Sequence, residues 1–151
     1  MKVFAIHVAP GRRLPVKSIE AVVAEEGKGL VGDRYHGTKH RHVTIQSHEQ
    51  LDDAMRRLGH AFDCGATRRN VTVDTGKIPT KPGTRLRVGD VELEVVRISA
   101  PCKLLEDDIG RGAMRALSGL AGSVCRIIGG GTIRVGDAVA IDDAPSVSRP
   151  T

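Results

Sequence analysis

Short apolar runs rich in valine and isoleucine recur along the chain, each bounded by glycine, proline or charge. That pattern predicts many short strands joined by turns. The runs fall at Val3 to Val8, Ser18 to Val23, His42 to Gln46, Asn70 to Val73, Arg85 to Val88, Val91 to Ile98, Ser123 to Ile128 and Ala138 to Ile141. In Val91 to Val96 the order Val-Glu-Leu-Glu-Val-Val sets Val91, Leu93 and Val95 on one face and both glutamates on the other, as a half-buried antiparallel strand requires. Leu86-Arg87-Val88-Gly89-Asp90 recurs as Ile133-Arg134-Val135-Gly136-Asp137, which predicts two similar corners of strand, tight Gly-Asp turn and strand.

Two segments carry helical spacing. Ser47 to Gln50 reads as a capping box, with Ser47 as N-cap and Gln50 reaching back, after which Leu51, Ala54, Met55 and Leu58 form one stripe ended by Gly59. A second helix is predicted from about Arg111 to Leu117, stopped by Ser118-Gly119, with Met114 and Leu117 turned inward. From Asp142 to Thr151 the chain has no period, and a frayed tail is expected there, so that one domain spans residues 1–143 and residues 144–151 are disordered.

Length and charge narrow the function. A chain of 151 residues buries enough surface for a real core without a disulfide or metal staple. No run approaches a membrane span and Met1 to Arg13 lacks signal-peptide features, so the expected location is the cytoplasm. The 23 Lys and Arg against 18 Asp and Glu give a net charge of +5, a field that favours anionic partners. Aromatic content of 2% supplies almost no base-stacking surface, which argues against nucleic acid. Cys64, Cys102 and Cys125 form no C-x-x-C pair, so reduced thiols are expected rather than a disulfide framework or thiolate zinc site.

Three clusters hold candidate chemistry. In Ile98-Ser99-Ala100-Pro101-Cys102-Lys103 a strand ends at a proline corner that presents Cys102 beside a lysine. A neighbouring cation favours thiolate, the form that attacks, binds soft metals or carries sulfane sulfur; the alternative is a small buried hydrophobe. Cys64 reads as a loop thiol and Cys125 as core. The run Gly32-Asp33-Arg34-Tyr35-His36-Gly37-Thr38-Lys39-His40-Arg41-His42 is a basic, histidine-rich loop whose spacing matches no standard zinc motif. Its glycines suggest backbone N–H groups turned to phosphate, against the plainer reading of a solvated loop. Thr67-Arg68-Arg69-Asn70 opens a strand with two guanidiniums able to grip an anion and an amide able to read a heterocycle edge, or else caps the strand.

In their order and spacing these elements resemble the MOSC domain family, named for the C-terminal domain of molybdenum cofactor sulfurase, in its short stand-alone bacterial form. The resemblance runs from Ile19 to Ile141 through Gly32 to Gly37, Val43 to Gln46, Arg68 to Val71, Gly83 to Asp90, Ala100-Pro101-Cys102, Gly119 to Arg126 and Gly129 to Asp137. It implies a mainly β fold with a few short helices, a closed or partly open β-barrel. It also implies that Cys102 occupies the family's cysteine position, as the catalytic or molybdenum-contacting thiol, with Arg34, His36, Arg68, Arg69, Asn70 and Lys103 lining a molybdenum cofactor pocket. Larger members carry Gly-Glu-Asn where this chain has Arg69, and relatives often carry a further cysteine where Ser99 stands.

Three functions follow from the resemblance and the residues. The first is molybdenum cofactor binding with sulfur carried on Cys102, in cofactor sulfuration or delivery. These 151 residues do not include the pyridoxal-phosphate desulfurase domain of fused members, so a cysteine desulfurase would supply the sulfur and a molybdoenzyme would receive it. The second is a cofactor-dependent reductase of N-hydroxylated bases. The third is a non-catalytic anion or nucleic-acid binding module with Cys102 structural.

Overall fold

The computed structural model describes residues 1–142, and the expected tail beyond them lies outside the described residues. Eleven strands form two sheets: β1 (Val3–Val8), β2 (Lys17–Ile19), β3 (Ala21–Glu25), β4 (Gly29–Leu30), β5 (Val43–Ser47), β6 (Val71–Val73), β7 (Arg85–Val88), β8 (Val91–Ile98), β9 (Ser123–Gly129), β10 (Gly131–Arg134) and β11 (Val139–Asp142). Among the described residues there are also three helices, α1 (His48–Leu58), α2 (Leu104–Asp108) and α3 (Ala113–Leu117), and a 3-10 turn over Cys64–Thr67.

The larger sheet has eight strands in the order β11-β7-β8-β9-β5-β6-β1-β2, and β10-β3-β4 form the smaller one. Neighbours in the larger sheet are antiparallel except β5 and β6, whose parallel pairing is made by a crossover through α1 and the 3-10 turn. The sheet curls until its ends meet at a single Lys2–Ala138 bridge, where Val3 N–H donates to Asp137 O at 2.9 Å and Val139 N–H to Met1 O at 2.9 Å. No continuous ladder closes the sheet into a barrel; the fold is mainly β with a few short helices, as expected.

The main core fills the space between the sheets with Ile6, Leu30, Ile45, Leu86, Leu93, Ile127 and Ile133. A second cluster, Leu51, Ala54, Leu105 and Leu117 with Cys64, seats the three helices. In β8 the alternation read from the sequence holds: Val91, Leu93 and Val95 are buried and the glutamates between them reach out to Arg87 and Arg126.

Several sequence expectations are corrected. The run from Ser18 to Val23 is two strands in different sheets, because the chain turns at Glu20. Asp142 is no frayed end; it pairs with Arg85 in β11. The first Gly-Asp corner is a hairpin between β7 and β8, but the second carries the chain from β10 in the small sheet to β11 in the large one. The two corners pack together, with Gly89 N–H donating to Ala138 O at 2.9 Å. Ser47 Oγ accepts from Gln50 N–H at 3.4 Å, yet Gln50 does not reach back; its Oε1 takes Ile78 N–H at 3.1 Å, so only half of the capping box forms. The second predicted helix is present as α3 but starts at Ala113, and Met114 faces solvent. Helix α2 was not expected, since five residues are too few to show a period.

Gly122 is where the chain leaving α3 crosses β5. Its φ is +77°, and a Cβ there would lie 1.9 Å from Ile45 O and 2.8 Å from Gln46 Cα. Both the positive φ and the backbone contact exclude a side chain. Gly122→Ala is expected to cost about 3 kcal/mol or more, read as a lower urea midpoint at unchanged slope.

Candidate functional site

The site is built around Asn70, immediately before β6. Its Oδ1 accepts Thr44 N–H at 2.9 Å and Thr44 Oγ1 at 3.1 Å, while Nδ2 donates to His7 O at 3.1 Å and Asp33 Oδ1 at 3.3 Å. The amide thereby joins β5, β1 and the loop after β4. Asp33 completes the join: Oδ1 also accepts Ala9 N–H at 3.0 Å, and Arg34 N–H donates to Ala9 O at 2.8 Å.

That anchored loop hangs its side chains over a cavity of about 70 Å³ lined by Arg34, Tyr35, Arg41, Arg68, Arg69 and Cys102, with Asn70 and Thr44 in its wall. The Arg34 and Arg41 guanidinium carbons lie 4.4 and 4.2 Å from the Tyr35 ring centroid, a double cation–π contact that fixes both. Arg68, at the end of the 3-10 turn, has φ +63°, a left-handed conformation held by its N–H donating to Gly65 O at 3.0 Å. Arg69 is 95% buried by its 5% exposure, and its Nη2 donates to Ala100 O at 3.1 Å, tying the start of β6 to the Pro101-Cys102 corner. Its Nε is buried without a hydrogen-bond partner among the described residues, as is the Nε of Arg41.

Burial first, and the Arg41 charge second, push the Arg69 guanidinium down to about 10, while Cys102 works the other way. Arg41 is lowered by burial above all, with Tyr35 opposing and Arg97 and Arg34 adding to it. The cavity therefore concentrates positive charge that the fold leaves largely uncompensated, with Asp33 the acidic residue in its lining. Cys102 is exposed at its rim, where its carbonyl accepts Leu105 N–H at 3.0 Å in the first turn of α2.

Five of the residues named from the sequence, Arg34, Arg68, Arg69, Asn70 and Cys102, line this one cavity. His36 and Lys103 do not. His36 Nε2 is 2.5 Å from Glu25 Oε1 on the outside of the small sheet, and Lys103 is an exposed residue preceding α2. The Asn70 amide is fully engaged by the protein and has no edge left for a heterocycle. The Gly32 to His42 loop is no phosphate nest either, because the N–H groups of Asp33, Arg34, His36, Gly37 and Thr38 all donate to backbone carbonyls. Cys64 is buried rather than a loop thiol, and Cys125 is core, its thiol pushed up to about 12 by burial. Sequence reasoning gave no role to Tyr35 or Arg41, whose part depends on ring stacking that only the folded loop creates.

The site is thus a mainly β scaffold that sets an exposed thiol beside a cluster of arginines, of which Arg69 is buried. The chain belongs to the MOSC domain family, whose model matches residues 32–140. Solved structures agree on the fold. The YuaD protein of Bacillus subtilis is 19% identical, with 93% of this chain and 94% of that one aligned at a TM-score of 0.82. YiiM from Escherichia coli is 17% identical over 97% of this chain and 72% of its own, and YiiM from Geobacillus stearothermophilus 18% identical over 94% and 75%, both with TM-score 0.71. No curated protein matches. Among the described residues no helix is long and apolar enough to cross a membrane.

His42, in the same loop, is a strut. Its Nδ1 accepts Ile127 N–H at 2.9 Å, so the ring proton lies on Nε2, 3.0 Å from Thr38 O. Burial holds its pKa below the ordinary imidazole value, with the Arg126 and His40 charges adding and the Thr38 carbonyl opposing. His7 is shifted the same way by burial, against Asp63. Both rings bind a proton more readily unfolded than folded, so stability present above about pH 6.5 is lost as the pH falls through that value toward the folded pKa. The urea midpoint is expected to drop between about pH 7.5 and pH 5, with a shallower drop in His42→Gln.

Proposed function

We propose that this MOSC protein binds the anionic end of the molybdenum cofactor in the arginine cavity and carries sulfur on Cys102. The observation that carries the reading is the buried Arg69 guanidinium, with an unpartnered Nε, lining the same cavity as an exposed thiol. A buried cation without its counter-charge is costly, and an oxyanion that accepts from Arg69, Arg41 and Arg34 would offset that cost.

The donor set suits the group in part. Guanidiniums suit phosphate, and a thiol is a soft ligand suited to sulfur and molybdenum. The enclosed space of about 70 Å³ is the size of an oxyanion and falls far below the roughly 300 Å³ or more of a site for a whole cofactor. The remainder would lie outside it, where Arg68 also borders an open cleft of about 590 Å³. Bound there, the cofactor supplies the molybdenum and dithiolene chemistry; the chain's own part is to hold charge and present sulfur. For loading, the Cys102 thiolate attacks the outer sulfur of a donor persulfide of the kind a cysteine desulfurase forms. A new Cys102 S–S bond forms, the donor S–S bond breaks, and the donor thiolate leaves. Exposure of Cys102 admits such a donor.

Arg69→Met separates binding from folding. The guanidinium's fall to about 10 corresponds to roughly 3 kcal/mol against its charged form, so removing it is expected to leave the melting temperature unchanged or higher. Protein purified without oxygen from cells that make the cofactor is expected to carry molybdenum and the fluorescent oxidised pterin in wild type, and about tenfold less in Arg69→Met. Intact mass is expected to show one added sulfur in wild type and none in Cys102→Ala. Wild type free of both pterin and added sulfur, from cells shown to make the cofactor, overturns the reading.

A further inference from the structure

On the other side of Arg68 a second group of donors meets, from segments far apart in the chain. His7 lies in β1, and Asp63 and Cys64 open the 3-10 turn. A ring nitrogen of His7, a carboxylate oxygen of Asp63 and Cys64 Sγ lie within 4.8 Å of one another. None of the three lines the Cys102 cavity.

Two further observations point to a ligand. The His7 side chain is buried, with 6% exposure, and its Nδ1 has no hydrogen-bond partner among the described residues. A glycine also lets the donors approach one another: a Cβ on Gly65 would sit 2.8 Å from His7 Nε2 and 3.0 Å from Asp63 Oδ2, so any larger residue would push them aside. Gly65 does not have a positive φ, so its backbone gives no reason for glycine there.

The surrounding scaffold is fixed. His7 N–H donates to Asn70 O at 2.7 Å and His7 O accepts from the Asn70 amide, so the Asn70 clamp holds this ring as well as the arginine cavity. Cys64 O accepts from Gln46 Nε2 at 3.2 Å and Thr67 Oγ1 at 2.9 Å. Asp63 Oδ2 accepts Gly65 N–H at 3.0 Å, which orients the carboxylate at the head of the turn.

We propose that His7, Asp63 and Cys64 form a three-ligand site for a divalent transition cation of the zinc class, with its fourth position open to the cleft. The mixed nitrogen, oxygen and sulfur set suits a borderline-soft ion, and three protein ligands leave one position for water or a small anion. Bonds of about 2.0–2.3 Å in a tetrahedron set donors roughly 3.3–3.8 Å apart, so side-chain rotations of about an ångström close the set. Cys64 loses its proton on binding and the proton goes to solvent; thiolate and carboxylate together then cancel the charge of the ion. The cleft of about 590 Å³ that holds His7 and Asp63 also contains Arg13 and Arg68, which suits an anionic fourth ligand.

The test is titration of the metal-free full chain with Co²⁺ and Zn²⁺. One ion per chain is expected, with a thiolate-to-cobalt charge-transfer band that Zn²⁺ abolishes. The band is expected to vanish in Cys64→Ser and to persist in Cys102→Ser, which separates this site from the proposed sulfur carrier. Asp63→Asn keeps an oxygen for Gly65 N–H, and Gly65→Ala displaces His7 and Asp63 from one another; each is expected to weaken binding about tenfold or more with the circular dichroism of wild type. No saturable binding, a band lost in Cys102→Ser, or full affinity in both Asp63→Asn and Gly65→Ala overturns the proposal.

Discussion

One side-chain amide ties this molecule together. Asn70 touches β1, β5 and the loop after β4 at once, and both its oxygen and its nitrogen are used in doing so. It sits where the parallel strand β6 begins beside β5, at the place where a crossover must bring the chain back into the sheet. Parallel pairs lack the local turn that sets register in a hairpin, so a buried side chain that bonds both neighbours does that work here. An apolar residue in its place would take from Thr44 N–H and His7 O the partner that Asn70 gives them, each at about 1–3 kcal/mol, and remove one of the donors to Asp33.

The same join explains why the cavity can hold so much charge. Arginines crowded on a free loop would swing apart into water. Here the loop is bonded to Ala9 through Asp33, Arg34 and Arg41 are held against the Tyr35 ring, and Arg69 is fastened to Ala100. The rigid backbone keeps like charges close, and burial lowers both Arg69 and Arg41. Such strain persists only where the rest of the structure overdetermines it, and it is relieved by an anion.

Most of the sheet could be read from the chain because period-two alternation is a local property, visible in Val91 to Val96 without any knowledge of partners. What failed was non-local. Nothing in Ser18 to Val23 shows that Glu20 is the point where the chain changes sheets, and nothing in Ile133 to Asp137 shows that its corner differs from the hairpin it resembles. The cavity was half legible: Arg34, Arg68, Arg69 and Cys102 stand out by residue type. His36 stands out equally, yet it faces Glu25, because a loop's outward and inward sides follow from its anchors and not from its composition. For Asn70 the sequence left open a ligand-reading amide or a strand cap, and only the folded chain shows its hydrogen-bonding capacity already filled.

The three cysteines show how far the fold, rather than the residue type, sets chemistry. Cys125 lies in β9 among aliphatic side chains, and burial alone keeps it a thiol. Cys64 is buried less completely, and burial and the Asp63 charge raise it, with Thr72 and nearby backbone groups opposing, so a neutral thiol is favoured there. Cys102 is exposed and lines the cavity that holds the arginine cluster. Arg68 borders both the Cys102 cavity and the cleft of His7 and Asp63. Its left-handed backbone, at the end of the turn that Asp63 and Cys64 begin, places the two within one short stretch of chain.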